Sequence, residues 1–138
     1  MQRSKIEIYL HIVWATNHRT PWLTPEIERA VYRCISDEIT RCKCEVLALN
    51  GMPDHVHLVV KIHSTTSVSA LVKAAKGTSS IFARDNFEAQ TNGWQDNYAA
   101  FSVSRSHLPR VIRYVQNQKQ HHAENNLWPE WEETSENE

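Results

Sequence analysis

The stretch EVLALNGMPDHVHLVVKI, residues 45–62, reads as two strands around a turn. EVLALN and HVHLVVKI hold the β-branched and apolar residues that fit a pleated surface, and GMPD between them supplies Gly51 and Pro53 as turn formers. An antiparallel hairpin follows, its register left open by the four turn residues. Side chains alternate along a strand, so Val56, Leu58, Val60 and Ile62 share one face and His55, His57, Val59 and Lys61 the other. The apolar set marks the core side. His55 and His57 therefore point away from the core, toward a free face of the sheet.

Outward from the hairpin, the pattern extends in both directions. In IEIYLHIVW, residues 6–14, Ile6, Ile8, Leu10, Ile12 and Trp14 face one way and Glu7, Tyr9 and His11 the other, which is strand period. Thr24-Pro25 forms an N-cap and first helical position, and Ile27, Val31, Ile35 and Ile39 then recur every four residues to about Arg41. A second helix starts near Ser67 with Val68, Leu71, Val72 and Ala75 inward, its end left open at KGTSS, residues 76–80. Residues 86–97 are polar, with Gly93, and read as a loop long enough to suspect a function. YAAFSVS (98–104) is a fourth strand, and HLPRVIRYVQNQKQHHAENN (107–126) a final helix with Pro109 in its first turn. The order β-α-β-β-α-β-α predicts an α+β fold: a ferredoxin-like, four-stranded antiparallel sheet with two helices on one face and an additional C-terminal helix.

Bulk composition bounds the rest. A chain of 138 residues, 41% hydrophobic and 22% charged, suits one domain. No apolar run approaches the ~20 residues of a membrane span, and no signal pattern opens the chain, so a cytoplasmic location is expected. Cys34, Cys42 and Cys44 have no framework spacing and read as idle thiols. The net charge of −1 hides an asymmetry: WPEWEETSENE, residues 128–138, holds five Glu and no Lys or Arg. A domain over residues 1–127 followed by a flexible acidic tail is expected, with a mildly cationic body that fits either nucleic acid or ordinary solvated surface.

Several constellations can carry chemistry. A His-x-His pair in a strand sets two imidazoles roughly 7 Å apart at Cα, within reach of one metal ion; two solvent-side histidines without a task fit the spacing as well. On the last helix Leu108, Val111, Ile112 and Val115 form an apolar stripe, with Arg110, Arg113 and Asn117 opposite. Tyr114 and Gln118 stand one turn apart on its flank, with His121 and His122 a turn further. Tyr114 either covers the core edge or reaches with Gln118 into a site between helix and sheet. Lys73, Lys76, Ser80 and Arg84 make one stripe if the second helix continues through Gly77, suited to a phosphate backbone or to solvent. Arg105 and Arg110 add cationic surface near the start of the last helix. Trp14, Trp22 and Trp94 are candidates for stacking on unpaired bases, although Trp14 falls in the inward register.

The motifs HIVWATNHRTP, GMPDHVHLVV, KGTSS, WQDNYAAFSVS and YVQNQKQHH occur in one order over residues 6–122. In that order the chain resembles the single-tyrosine HUH transposases of bacterial insertion sequences and their domesticated relatives associated with repetitive palindromic elements. The resemblance implies a metal-dependent enzyme that nicks and rejoins single-stranded DNA and recognises DNA hairpins near element ends. It implies His55, His57 and Gln118 as ligands of a divalent ion, Mg2+ or Mn2+, and Tyr114 as nucleophile, forming a 5′-phosphotyrosyl link that needs no nucleotide cofactor. It also implies a homodimer in which one subunit's tyrosine helix completes the other's site, while the domesticated relatives act as monomers. Two other classes stay open on the residues alone: a hairpin-binding module without catalysis, and a metal-dependent phosphodiesterase that uses water.

Overall fold

The computed structural model describes residues 4–87, 92–123 and 132. Strand β1 (Tyr9–Ala15) is followed by helix α1 (Pro25–Arg41), strands β2 (Glu45–Met52) and β3 (His55–Lys61), helix α2 (Val68–Phe87), strand β4 (Ala99–Val103) and helices α3 (Leu108–Gln116) and α4 (Gln118–Ala123). The strands form one antiparallel sheet in the order β2-β3-β1-β4. β3 thus lies between β1 and β2, the two strands that α1 joins, which is the expected split βαβ arrangement.

The hairpin is tighter than its sequence implies. Met52 pairs with His55, so only Pro53 and Asp54 form the turn, while Gly51 and Met52 belong to β2. A Cβ on Gly51 would lie 2.2 Å from the His55 carbonyl oxygen and 2.9 Å from the Val56 Cα, a separation no other residue tolerates. A register shift between Val46 and Ala48 is a β-bulge. Residues two apart normally share a face; the bulge instead lets Val46 pack with the helix-side core and Ala48 with the opposite cluster.

One face of the sheet carries the main core. Ile12, Trp14, Val56, Leu58 and Val60 meet Ile27, Val31, Ile35 and Ile39 of α1 and Leu71, Val72 and Ala75 of α2. Helix α2 runs unbroken through Gly77, where an added Cβ meets nothing within 4 Å, so KGTSS is helix interior. Trp22 and Trp94 do not offer faces for base stacking. They are buried with Trp14, Trp94 edge-on to Trp14 at 6.0 Å and tilted against Trp22 at 4.9 Å. The Trp94 indole N–H donates to Ser79 Oγ at 2.9 Å, which satisfies the polar edge of a buried ring.

Three boundaries differ from expectation. The first strand begins at Tyr9, and Ile6 and Ile8, ahead of its first paired residue, are exposed rather than inward. Much of the expected loop over residues 86–97 is structured: α2 extends to Phe87, Trp94 bridges to Thr16, and Asn17 N–H donates to the carbonyl of Gly93, whose φ of +81° suits glycine. Residues 88–91 of that stretch lie outside the described residues. The final helix breaks at Asn117 (φ −100°, ψ 23°) into α3 and α4, and its expected last turn, 124–126, lies outside the described residues.

The second face of the sheet is covered, not free. Helix α3 lays Val111, Tyr114 and Val115 against Ala48 of β2 and Val59 of β3. An apolar stripe on a terminal helix needs cover, and this face supplies it. Among the described residues no helix is long and apolar enough to cross a membrane.

Candidate active site

Strand β3 places His55 and His57 under α3 and α4, where His55 is 3% exposed and His57 is fully buried. Each ring is held at Nδ1. His55 Nδ1 donates to the Asp54 carboxylate at 2.8 Å, from the turn residue just before it. His57 Nδ1 lies 2.8 Å from Nε2 of His11, on β1; His11 pairs with Val59 and so reaches His57 across the diagonal of the ladder. Fixing both Nδ1 atoms aims both Nε2 atoms at one point: they lie 3.2 Å and 3.0 Å from Oε1 of Glu132.

The helices complete the cluster. Tyr114 of α3 is buried, its ring stacked on His121 at 4.6 Å, and its hydroxyl donates to Oε2 of Glu132. Gln118, the first residue of α4, is fully buried; its Oε1 accepts from His55 Nε2 at 3.1 Å and its Nε2 donates to Glu132 Oε2 at 3.2 Å. One turn on, His122 Nε2 lies 2.9 Å from Gln118 Oε1 and 3.3 Å from Glu132 Oε1. Two fastenings hold this helical pair on its own sheet. Asn50 donates to the Gln116 carbonyl at 3.0 Å. The Lys119 ammonium donates to Glu28 Oε2 at 3.0 Å, Asn50 Oδ1 at 2.9 Å and the Gly51 carbonyl at 3.1 Å.

Electrostatics separates the imidazoles. Burial disfavours a charged His55, but hydrogen bonds to Asp54 and Glu132, with the charges of both, outweigh it and push its pKa up to about 9. Burial dominates at His57 and holds it below the ordinary value against its hydrogen bond to Glu132. At His11, burial and then the neighbouring His57 lower the pKa to about 3. Burial works against the charge of Glu132, yet hydrogen bonds from His55, His57 and Tyr114 hold its carboxyl well below the usual range.

This donor set fits a divalent ion. His55, His122 and Glu132 offer ligand atoms that all lie within 4.8 Å of one another; Gln118 Oε1 lies 3.1 Å and 2.9 Å from Nε2 of His55 and His122, and His57 Nε2, outside that group of three, lies 3.0 Å from Glu132 Oε1. A metal-bound imidazole needs a partner on the second ring nitrogen to fix tautomer and orientation, and Asp54 and His11 would fill that part for His55 and His57. Were His57 to ligate an ion through Nε2, its proton would sit on Nδ1 and be donated to His11.

The structure thus brings His55, His57, Tyr114 and Gln118 together within one chain. It also brings in three residues whose part the sequence did not reveal. His122 follows Gln118 by one helical turn, a spacing that could have flagged it. His11 was legible as a residue of the non-core face but not as the diagonal neighbour of His57. Glu132 carried no signal, being one of several Glu in a stretch read as acidic tail; its neighbours on either side lie outside the described residues.

The basic residues are more dispersed. Lys73, Lys76 and Ser80 of α2 line a groove of 450 Å³ with Trp94, Gln95 and Tyr98. Lys76 donates to the carbonyls of Gln95 and Asn97 and so is turned to the chain before β4, and burial lowers its pKa. Arg84 is outside the groove, 3.7 Å from Asp85, and Arg105 pairs with Glu7 at 3.3 Å. Arg110 is exposed near the start of α3. The groove lies on the α2 side of the sheet, and one of its lining residues, Gln95, donates its N–H to the carbonyl of Ala15, which pairs with His55.

Known proteins share this arrangement of chain. The chain is 26% identical over 121 residues to the ISDra2 transposase TnpA of Deinococcus radiodurans, covering 81% of this chain and 84% of that protein. A Deinococcus radiodurans protein of known crystal structure superposes with a TM-score of 0.68 at 27% identity, over 86% of this chain and 98% of that one. The REP-associated tyrosine transposase, solved bound to a REP hairpin, shares the fold with a TM-score of 0.64 at 16% identity, over 88% of this chain and 73% of the other. The family described as Transposase IS200 like matches residues 4–118, from before β1 to the first residue of α4, and the chain belongs to that family.

Proposed function

We propose that this transposase cleaves and rejoins single-stranded DNA by transesterification through Tyr114, with His55, His57 and Gln118 holding Mg2+ or Mn2+. The observation that carries the reading is the convergence of His55 Nε2, His57 Nε2 and the Tyr114 hydroxyl on one carboxylate, which sets a nucleophile beside a buried imidazole pair. Tyr114 Oη attacks the scissile phosphorus, the P–O3′ bond breaks, and the 3′ oxygen leaves as a hydroxyl with the proton the phenol gives up. A 5′-phosphotyrosyl link remains. It retains the phosphodiester bond energy, so a 3′-hydroxyl of a second strand displaces Tyr114 without a nucleotide cofactor. The divalent ion supplies, when bound, polarisation of the phosphate and stabilisation of charge on its non-bridging oxygens.

The chain's own residues position the reaction. Stacking on His121 fixes the Tyr114 ring, and the Asn50 and Lys119 hydrogen bonds fix α3 and α4 on β2. The groove lined by Lys73, Lys76 and Ser80 leads single-stranded DNA toward the histidine end of the sheet, and Arg84, Arg105 and Arg110 contribute longer-range attraction. Hairpin recognition near element ends, a homodimer and a cytoplasmic setting belong to the same reading, in which the catalytic domain of residues 1–127 is joined at its site by Glu132 from the acidic stretch 128–138.

The test is an adduct assay. Metal-loaded protein is incubated with labelled single-stranded DNA taken from the flanks of the coding region, then denatured. A covalent adduct is expected, reduced at least ~10³-fold in Tyr114→Phe. Equal adduct in Tyr114→Phe refutes the tyrosine assignment. Repeated turnover with no attached protein would favour the water-using phosphodiesterase, and hairpin binding without metal or adduct the DNA-binding module.

A further inference from the structure

Glu132 is an odd residue to find among buried histidines. Its side chain is 13% exposed, and the ionic partners within 4 Å of it among the described residues are imidazoles, not Lys or Arg. A carboxylate placed there only as a counter-ion would need one partner. This one takes four hydrogen bonds and one ion-pair contact: Oε1 bonds His57 and His122 and lies 3.2 Å from His55 Nε2, and Oε2 accepts from Tyr114 and Gln118.

The same spacings that suit hydrogen bonds also suit ligands that share one ion. Ligands on adjacent positions of an octahedral ion with ~2.1 Å bonds stand ~3 Å apart. The edges here match: Glu132 Oε1 lies 3.2 Å, 3.0 Å and 3.3 Å from the Nε2 atoms of His55, His57 and His122. Gln118 Oε1 lies 3.1 Å and 2.9 Å from those of His55 and His122. Charge points the same way. Three neutral ligands would leave a buried divalent ion uncompensated, and a single carboxylate halves that charge.

We propose that Glu132 and His122 are protein ligands of the divalent ion, joining His55, His57 and Gln118, so that residues beyond the nucleophile helix complete the metal site. The proposal rests on the function given above and adds two ligands to it. Because Oε2 of the same carboxylate holds the Tyr114 hydroxyl, metal site and nucleophile share one residue. Its place in the chain, fourteen residues after Gln118, makes the ion a tie between sequence on both sides of residues 124–131.

Calorimetric titration of the purified full-length protein with Mn2+, without DNA, tests it. Wild type is expected to bind one ion, Glu132→Gln to bind at least ~10-fold more weakly, and His122→Gln to weaken by a smaller factor. The rise in Tm on adding Mn2+ should shrink in the same order, an independent readout if one variant is poorly folded. Wild-type affinity in both variants overturns the proposal, and does so most directly if Glu132→Gln also cleaves DNA faster, since the carboxylate would then be occupying the place of the phosphate. The underlying function fails in a different way: wild type would bind no Mn2+, or His57→Ala would bind it as well as wild type.

Discussion

The two faces of the sheet bury side chains to the same depth with opposite chemistry. Leu58 and His57 are consecutive on β3 and both fully buried. Leu58 meets α1 and α2 through an apolar core, whereas His57 meets His11 and Glu132 through polar contacts and the Tyr114 ring edge-on. Apolar burial stabilises in proportion to area and asks for little orientation. Imidazoles and a carboxylate are buried at a cost unless every ring nitrogen and oxygen has a partner. One face therefore holds the fold together, and the other spends part of that stability on holding rings in fixed orientations.

The sharpest way to break the comparison is to remove one residue from each face of the same strand. His57→Ala is expected to weaken Mn2+ binding by ~10²-fold or more in calorimetry, with a much smaller change in the urea midpoint. Leu58→Ala should do the reverse, lowering stability by ~2–5 kcal/mol while the folded fraction still binds the ion. If both variants lose metal affinity equally, the two faces are not separable. A smaller, graded effect is expected at the hairpin. Gly51→Ala forces β2 away from the His55 carbonyl, so it should lower stability by ~1–3 kcal/mol and weaken Mn2+ binding several-fold through displacement of His55. Loss of stability with unchanged metal affinity would show that the turn, and not the strand contact, positions His55.

The apolar face was the legible one. Ile27, Val31, Ile35 and Ile39 announce their helix by period, Val56, Leu58 and Val60 their strand by alternation, and each is buried where that pattern puts it. Strand order followed from the sequence of elements. The polar face was legible only in part, because its contacts join residues with no shared period. His55 and His57 declared a common face, and Tyr114 and Gln118 a common turn, but nothing local tied one pair to the other. His11 was hidden by a diagonal strand contact that depends on register, and register was open. Glu132 was hidden by composition, since one functional carboxylate among several Glu has no distinguishing pattern. The break at Asn117, which passes the chain from α3 to α4 between Tyr114 and Gln118, was likewise invisible to a helical count that assumes no interruption.

The Lys119 and Asn50 hydrogen bonds have a consequence for genetics. They secure α3 and α4 to β2 and α1 of the same molecule, so on the function proposed above each copy would keep its own Tyr114 beside its own imidazoles. Two damaged copies then have nothing to lend one another. Co-expressed Tyr114→Phe and His57→Ala alleles are expected not to complement, and DNA joining in the mixture should stay at the level of either mutant alone. Joining clearly above the level of either mutant alone would mean that copies exchange this helix despite its fastenings.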